Sequence, residues 1–243
     1  MDQRLDQRLD QRLDQRLDQR LDQRPDQSVN GGLSGSPSVR PAVAAAPHGL
    51  SRRIAHIIRI VTVPPVMVAA LILLLTAYRP DVVATPLQCT MAILLLSVLP
   101  ALAYPLSAVI PAIRRKGRDG QRSLAIYLSV VGYTGACIYG AVAQVPRHLL
   151  MTFITYFLSV LLLLGLNKGL HIKASGHACS LTGPIALMCY YLGARWVAVG
   201  VVLYALILWA SVKMGRHTFG QFLWGSACCL FAWAWVMLVG SCL

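Results

Sequence analysis

The chain has 243 residues, 56% of them hydrophobic and only 13% charged, with a mean hydropathy of +0.61 and a formal net charge of +13. So little charge cannot solvate the surface of a water-soluble domain of this size, and the composition predicts an integral membrane protein with one membrane domain. The positive charge falls in short loops, where it orients spans and meets anionic headgroups, so the expected partners are membrane lipids and not nucleic acid.

The acidic side is almost empty. There is no Glu, and after Asp26 the only carboxylates are Asp81 and Asp119, against sixteen Lys and Arg. Carboxylate-bound metals and paired-carboxylate acid–base chemistry are therefore nearly excluded. Chemistry here must run on histidine and cations, with neither metal nor cofactor expected. The seven cysteines lie mostly inside apolar runs without metal-ligand spacing and read as small packing residues.

In chain order, residues 1–24 are six tetrads, Met-Asp-Gln-Arg once and Leu-Asp-Gln-Arg five times. On a helix these would align Asp with Asp and Arg with Arg at i,i+4, with leucines drifting about 40° per tetrad, so no steady apolar face forms. Pro25 closes the array, and Ser, Gly, Pro and Ala follow it. Residues 1–50 are expected to be a disordered low-complexity tail, and without an apolar core they do not read as a signal peptide. Residues 51–243 form the expected membrane domain.

Seven apolar stretches of spanning length follow: Ile57–Tyr78, Leu87–Ile113, Leu124–Gln144, Leu149–Leu166, His177–Leu192, Trp196–Val212 and Thr218–Val239. The expected fold class is thus an all-α polytopic integral membrane bundle of about seven spans, six being the alternative. Pro64 and Pro65 belong to the first turns of the first span, and Pro100, Pro105 and Pro111 kink or end the second. His177–Leu192 is the shortest, and its Thr182-Gly183-Pro184 interruption suggests a helix facing a cavity. With seven spans, Arg52, Arg53, Arg114, Arg115, Lys116, Arg118, Arg122, Lys168, Lys173, Lys213 and Arg216 share one side. Only Arg79, Arg147 and Arg195 occupy the other, which places the first side in the cytoplasm.

Span counting puts three polar clusters on that one face: Arg115–Arg122, Lys173–His177 and Lys213–Gln221. Within them the chain reads Arg115-x6-Arg122-Ser123, then Ala174-Ser175-Gly176-His177, then Ala210-Ser211-x5-His217-x3-Gln221. In order and spacing this resembles the type-2 phosphatidic acid phosphatase and vanadium haloperoxidase superfamily, whose motifs are Lys-x6-Arg-Pro, Pro-Ser-Gly-His and Ser-Arg-x5-His-x3-Asp. The likeness covers about residues 114–230, and Gly-Arg-His-Thr-x2-Gln-x3-Gly (215–225) resembles a divergent membrane branch. Arg115 replaces Lys, Ser123 and Ala174 replace the prolines, Ser211 replaces Arg, and Gln221 replaces Asp.

The resemblance implies hydrolysis of a lipid phosphomonoester or pyrophosphate, such as phosphatidic acid or a polyprenyl diphosphate. His217 would be the nucleophile that forms a phosphohistidine, and His177 the general acid. Arg115 and Arg122 would hold phosphate oxygens, with Ser175 and the Gly176 N–H as neutral donors and Lys213 or Arg216 standing in for the missing Arg. Gln221 would orient the His217 ring without supplying charge. An amide in place of the orienting carboxylate of a serine-protease triad costs about 10⁴ in turnover. Slower chemistry, or a site retuned to bind anionic headgroups, is the corresponding expectation; an anion transporter is a third reading. The bland alternatives are a positive-inside anchor for the Arg-rich loop and interfacial positions for His48, His56 and His148. Trp209, Trp224, Trp233 and Trp235 then form a belt, and Gly165, Gly169 and Gly193 mark helix ends.

Overall fold

A computed structural model describes residues 50–214 and 218–242; the expected tail, apart from Leu50, and Gly215, Arg216 and His217 lie outside them. The described chain is helical throughout, without a strand. In order the helices are α1 (Leu50–Val61), α2 (Pro64–Tyr78), α3 (Pro86–Val109), α4 (Pro111–Arg114), α5 (Gly117–Val142), α6 (Arg147–Gly169), α7 (Gly176–Leu192), α8 (Arg195–Lys213) and α9 (Phe219–Cys242). Five of them, α3, α5, α6, α8 and α9, are long and apolar enough to cross a membrane. The chain is an all-helical integral membrane bundle. At 15 and 17 residues α2 and α7 extend about 22 and 26 Å, short of a 30 Å hydrocarbon layer.

The expected first span is two helices. α1 ends at Val61, Thr62 Oγ1 turns back to the Ile58 carbonyl at 2.7 Å, and Val63 takes an extended ψ of 135° before Pro64 opens α2. A residue before proline is driven out of the helical region, and proline is at home in a first turn, where its missing N–H has no partner to lose. Ile57–Val61 therefore belongs to a separate helix that packs on α8. Prolines shape α3 as expected: a π-turn over Leu94–Val98 precedes Pro100, Leu102 breaks the helix, and Val109 ends it two residues before Pro111. Each proline leaves a carbonyl one turn back without its donor, and wider or broken turns absorb the mismatch.

The shortest expected span is the centre of the described bundle. Ten of the seventeen residues of α7 are buried, among them Thr182, Gly183 and Pro184. The interruption faces packed helices instead of a cavity: a Cβ on Gly183 would sit 3.2 Å from Cys229 Sγ and 3.4 Å from the Tyr156 ring. α2, α6, α8 and α9 surround α7. The largest core cluster joins Leu71, Ile72 and Leu75 of α2 with Leu149, Phe153 and Tyr156 of α6 and Leu187 of α7. Polar ties cross the interior: Ser226 Oγ of α9 lies 3.0 Å from Thr182 Oγ1 of α7 and accepts from Tyr204 OH of α8 at 2.9 Å. Such bonds suit a bundle whose outer surface meets hydrocarbon, because burial of apolar area no longer holds helix to helix.

Candidate functional site at the amino-terminal pole of α7

α7 has two poles of different character. At its carboxyl end, Arg79 clamps the chain: Nε and Nη2 donate to the Asp81 carboxylate at 2.8 and 2.6 Å, and Nη1 donates to the Tyr191 carbonyl. The paired guanidinium holds the Asp81 carboxyl below its ordinary value. Tyr191 OH donates to the His148 carbonyl at 2.9 Å, and its ring lies edge-on to that of His148. His148 is thus part of a packing cluster between α6 and α7.

The amino-terminal pole gathers the motifs. Ser175 is the N-cap: its ψ of 114° is extended, and its Oγ accepts from the Ala178 N–H at 3.2 Å, satisfying one of the free first-turn donors. Ser175 is fully buried. Arg122 of α5 donates through Nη2 to the Ala174 carbonyl at 2.7 Å and to Asn167 Oδ1 at 3.0 Å. The Ser175 N–H donates to the Gln221 carbonyl, in the first turn of α9, at 2.9 Å. The Ala174-Ser175 peptide of the second cluster is therefore hydrogen-bonded to one residue from each of the other two, Arg122 and Gln221. Gly225 makes the last contact possible: a Cβ there would overlap the Ser175 carbonyl and stand 3.1 Å from Ala178 Cβ. With no side chain at Gly225, the loop lies directly on α9.

Asn167 is the residue that sequence reasoning missed. Its Oδ1 accepts from Arg122 and, at 3.2 Å, from the Ala174 N–H, while Nδ2 donates to the Leu163 carbonyl at 2.8 Å. It is the only asparagine after Asn30, and a single amide at the end of an apolar run was the signal available. It sits in the π-turn Gly165–Gly169 that ends α6. His171 follows with φ +54°, and the Ile172 N–H donates to the Leu166 carbonyl, six residues back, at 2.9 Å, closing the end of the helix. The left-handed residue reverses the chain and aims Lys173–Ser175 back at α5 and α9. Gly193, with φ +89°, ends α7 as a helix-end glycine should, and Gly165 and Gly169 bound the π-turn that ends α6.

The other expected site residues divide. Gly176 and His177 open α7; both are half-buried, and the His177 Nε2 atom is buried. Gln221 is half-buried in α9, where its N–H donates to Thr218 Oγ1 at 3.2 Å. Arg115, after α4, and Lys213, ending α8, are exposed and stand outside the hydrogen-bonded set. Arg216 and His217 fall outside the described residues, between α8 and α9. Lys168 donates to Tyr127 OH at 3.0 Å and lies over that ring, adding a cation at the same end. Among the described residues no three His, Cys, Asp or Glu side chains are grouped so as to hold a metal ion.

The Arg122 guanidinium and the positive end of the α7 dipole meet at this corner, a charge pattern suited to an anion. Comparison with protein-family models, curated proteins and solved structures finds no match to this chain.

Proposed function

We propose that the protein is a membrane lipid-phosphate phosphatase resembling the type-2 phosphatidic acid phosphatases, acting without metal on a phosphomonoester or pyrophosphate of a lipid. The observation that carries this reading is the joint bonding of Arg122 and Gln221 to the Ala174-Ser175 peptide, which brings the three motif segments to one end of the bundle. His217, between α8 and α9, enters the chain two residues before that helix. It attacks phosphorus, the bond from phosphorus to the lipid oxygen breaks, and His177 passes a proton to the departing oxygen. Water then attacks the phosphohistidine, His177 takes its proton, and phosphate leaves. In this reading Arg115, Lys213 and Arg216 act as further phosphate-binding cations, and Arg122 places the second motif while presenting charge to the anion.

The same reading counts α2 and α7 as crossing elements, for seven spans, and puts the motif end on the cytoplasmic side of a bacterial inner membrane. The spread of loop cations supports the orientation, and the opposed Arg79 and Arg122 poles of α7 support its crossing.

The test is phosphate release from phosphatidic acid and from a polyprenyl diphosphate by the purified protein in lipid nanodiscs. His217→Ala should abolish release and the acid-labile phosphoprotein while leaving helical content unchanged; turnover equal to wild type would remove the assignment. A second reading, a non-catalytic binder of anionic headgroups, is favoured by the engagement of Arg122 with protein carbonyls and by the uncharged Gln221. Gln221→Asp separates the two, since an enzyme gains turnover and a binder shows none in either form.

A further inference from the structure

The outer wall beside this corner carries an apolar groove of about 470 Å³ between α6 and α9, lined by residues that include Leu162, Gly165, Leu166, Leu170, Trp224 and Phe231. We infer that this groove holds one hydrocarbon chain of the anionic lipid whose phosphate meets Arg122 and the first turn of α7. The inference rests on reading that corner as a phosphate site.

Three observations select the occupant. The π-turn Gly165–Gly169 gives Gly165 and Leu166 to the groove wall and Asn167 to Arg122 and Ala174, so the groove adjoins that contact along the chain. From Leu161 to Leu170, the residue after α6, it extends about 14 Å, half of a 30 Å hydrocarbon layer, which matches one lipid leaflet and is too short for a partner helix crossing the membrane. The charge at its head is mostly positive: Lys168, Lys173 and Arg122 lie on the adjoining segments against one carboxylate, Asp119 in the first turn of α5, while Asp81 is at the far pole of α7. Hydrocarbon below and cations above are complementary to an anionic lipid and to nothing wholly apolar or wholly soluble. Gly165 borders the open space of the groove, since a Cβ added there meets nothing within 4 Å. A volume near the lower end of small-molecule sites suits a single chain.

The experiment uses the full chain in phosphatidylcholine nanodiscs doped with a lipid bearing a photoreactive diazirine in one tail. The probe is phosphatidic acid in one arm and diacylglycerol with the same tails in the other. Cross-links mapped by mass spectrometry should fall on Leu162, Leu166 and Phe231 about tenfold more often with the phosphate-bearing probe, the ratio that a charge-assisted hydrogen bond supplies. Gly165→Phe, and independently Ala227→Phe from the α9 wall, should bring that labelling down to the diacylglycerol level. Equal labelling by the two probes in the wild type means ordinary lipid contact and overturns the inference, as does phosphate-dependent labelling that survives both blocked grooves. Selective labelling without any phosphate release leaves the groove assigned and removes hydrolysis. Phosphate release with equal labelling does the reverse.

Discussion

Gly225→Ala tests the joint on which the candidate site is built. The added methyl would overlap the backbone carbonyl of Ser175 and press within 3.1 Å of Ala178 Cβ. A carbonyl in a loop held by Arg122, Asn167 and Gln221 has no rotamer to yield, so α9 must move away from α7. Overpacking of this kind costs about 1–3 kcal/mol. Separation also stretches the 2.9 Å bond from Ser175 N–H to Gln221, worth about 1 kcal/mol. The sum, roughly 2–4 kcal/mol, lowers Tm by roughly 4–16 °C for a chain of this size. The assay is thermal unfolding in detergent followed by intrinsic tryptophan fluorescence, beside Gly220→Ala, whose Cβ meets nothing within 4 Å and which should change little. Equal melting of the two variants would refute the close approach of Ser175 to α9, and with it the convergence of the second and third motifs.

Other consequences follow from single contacts. Asn167→Asp keeps the acceptor for Arg122 and Ala174 but adds a negative charge beside the guanidinium; binding of phosphatidic acid liposomes should weaken about tenfold, read by co-sedimentation. Arg122→Ala leaves the Ala174 carbonyl without its donor and should cost about 1–3 kcal/mol, read as a lower Tm that Arg122→Lys partly restores. Ser226→Ala removes the link between Thr182 and Tyr204 and should cost about 0.6 kcal/mol per bond lost, measured by unfolding in mixed micelles. The Asp81 carboxyl is held below its ordinary value of 3.8 chiefly by its hydrogen bonds from Arg79. Because the folded-state pKa is the lower one, its contribution is complete above about pH 4 and disappears as pH falls through the folded value, so Asp81→Asn should flatten the acid limb of a Tm–pH curve.

Much of the architecture was legible along the chain. Apolar runs of spanning length needed no partner to be read, since a bilayer demands internally satisfied backbone over a fixed thickness, and helices alone meet that demand here. The prolines also announced themselves: Pro100 and Pro105 placed the breaks in α3 because a missing N–H acts locally. Pro64 was legible as a first-turn residue, but the break at Thr62–Val63 was overlooked because apolarity continues through it. The meeting of Arg122, Ser175 and Gln221 was expected from counting seven spans; the hydrogen bonds join them, while five helices are of spanning length.

What the linear order could not supply is which groups touch. Ser175 reads as a hydroxyl available to an anion; folded, it is a buried N-cap whose peptide bonds to α9. Arg122 reads as a phosphate ligand, and in three dimensions it also fastens the Ala174 carbonyl. Asn167 carries no motif, and its value depends on a π-turn and on His171 in a left-handed conformation placing it between two helices. α7, the least span-like segment, lies at the centre because small and polar residues allow close helix approach and cross-helix bonding. That advantage exists only once neighbours surround it. Composition and periodicity thus decided that the chain enters a membrane as helices, for each residue's cost of meeting hydrocarbon is its own. Contacts decided the site, for a hydrogen bond belongs to two residues that the sequence keeps far apart.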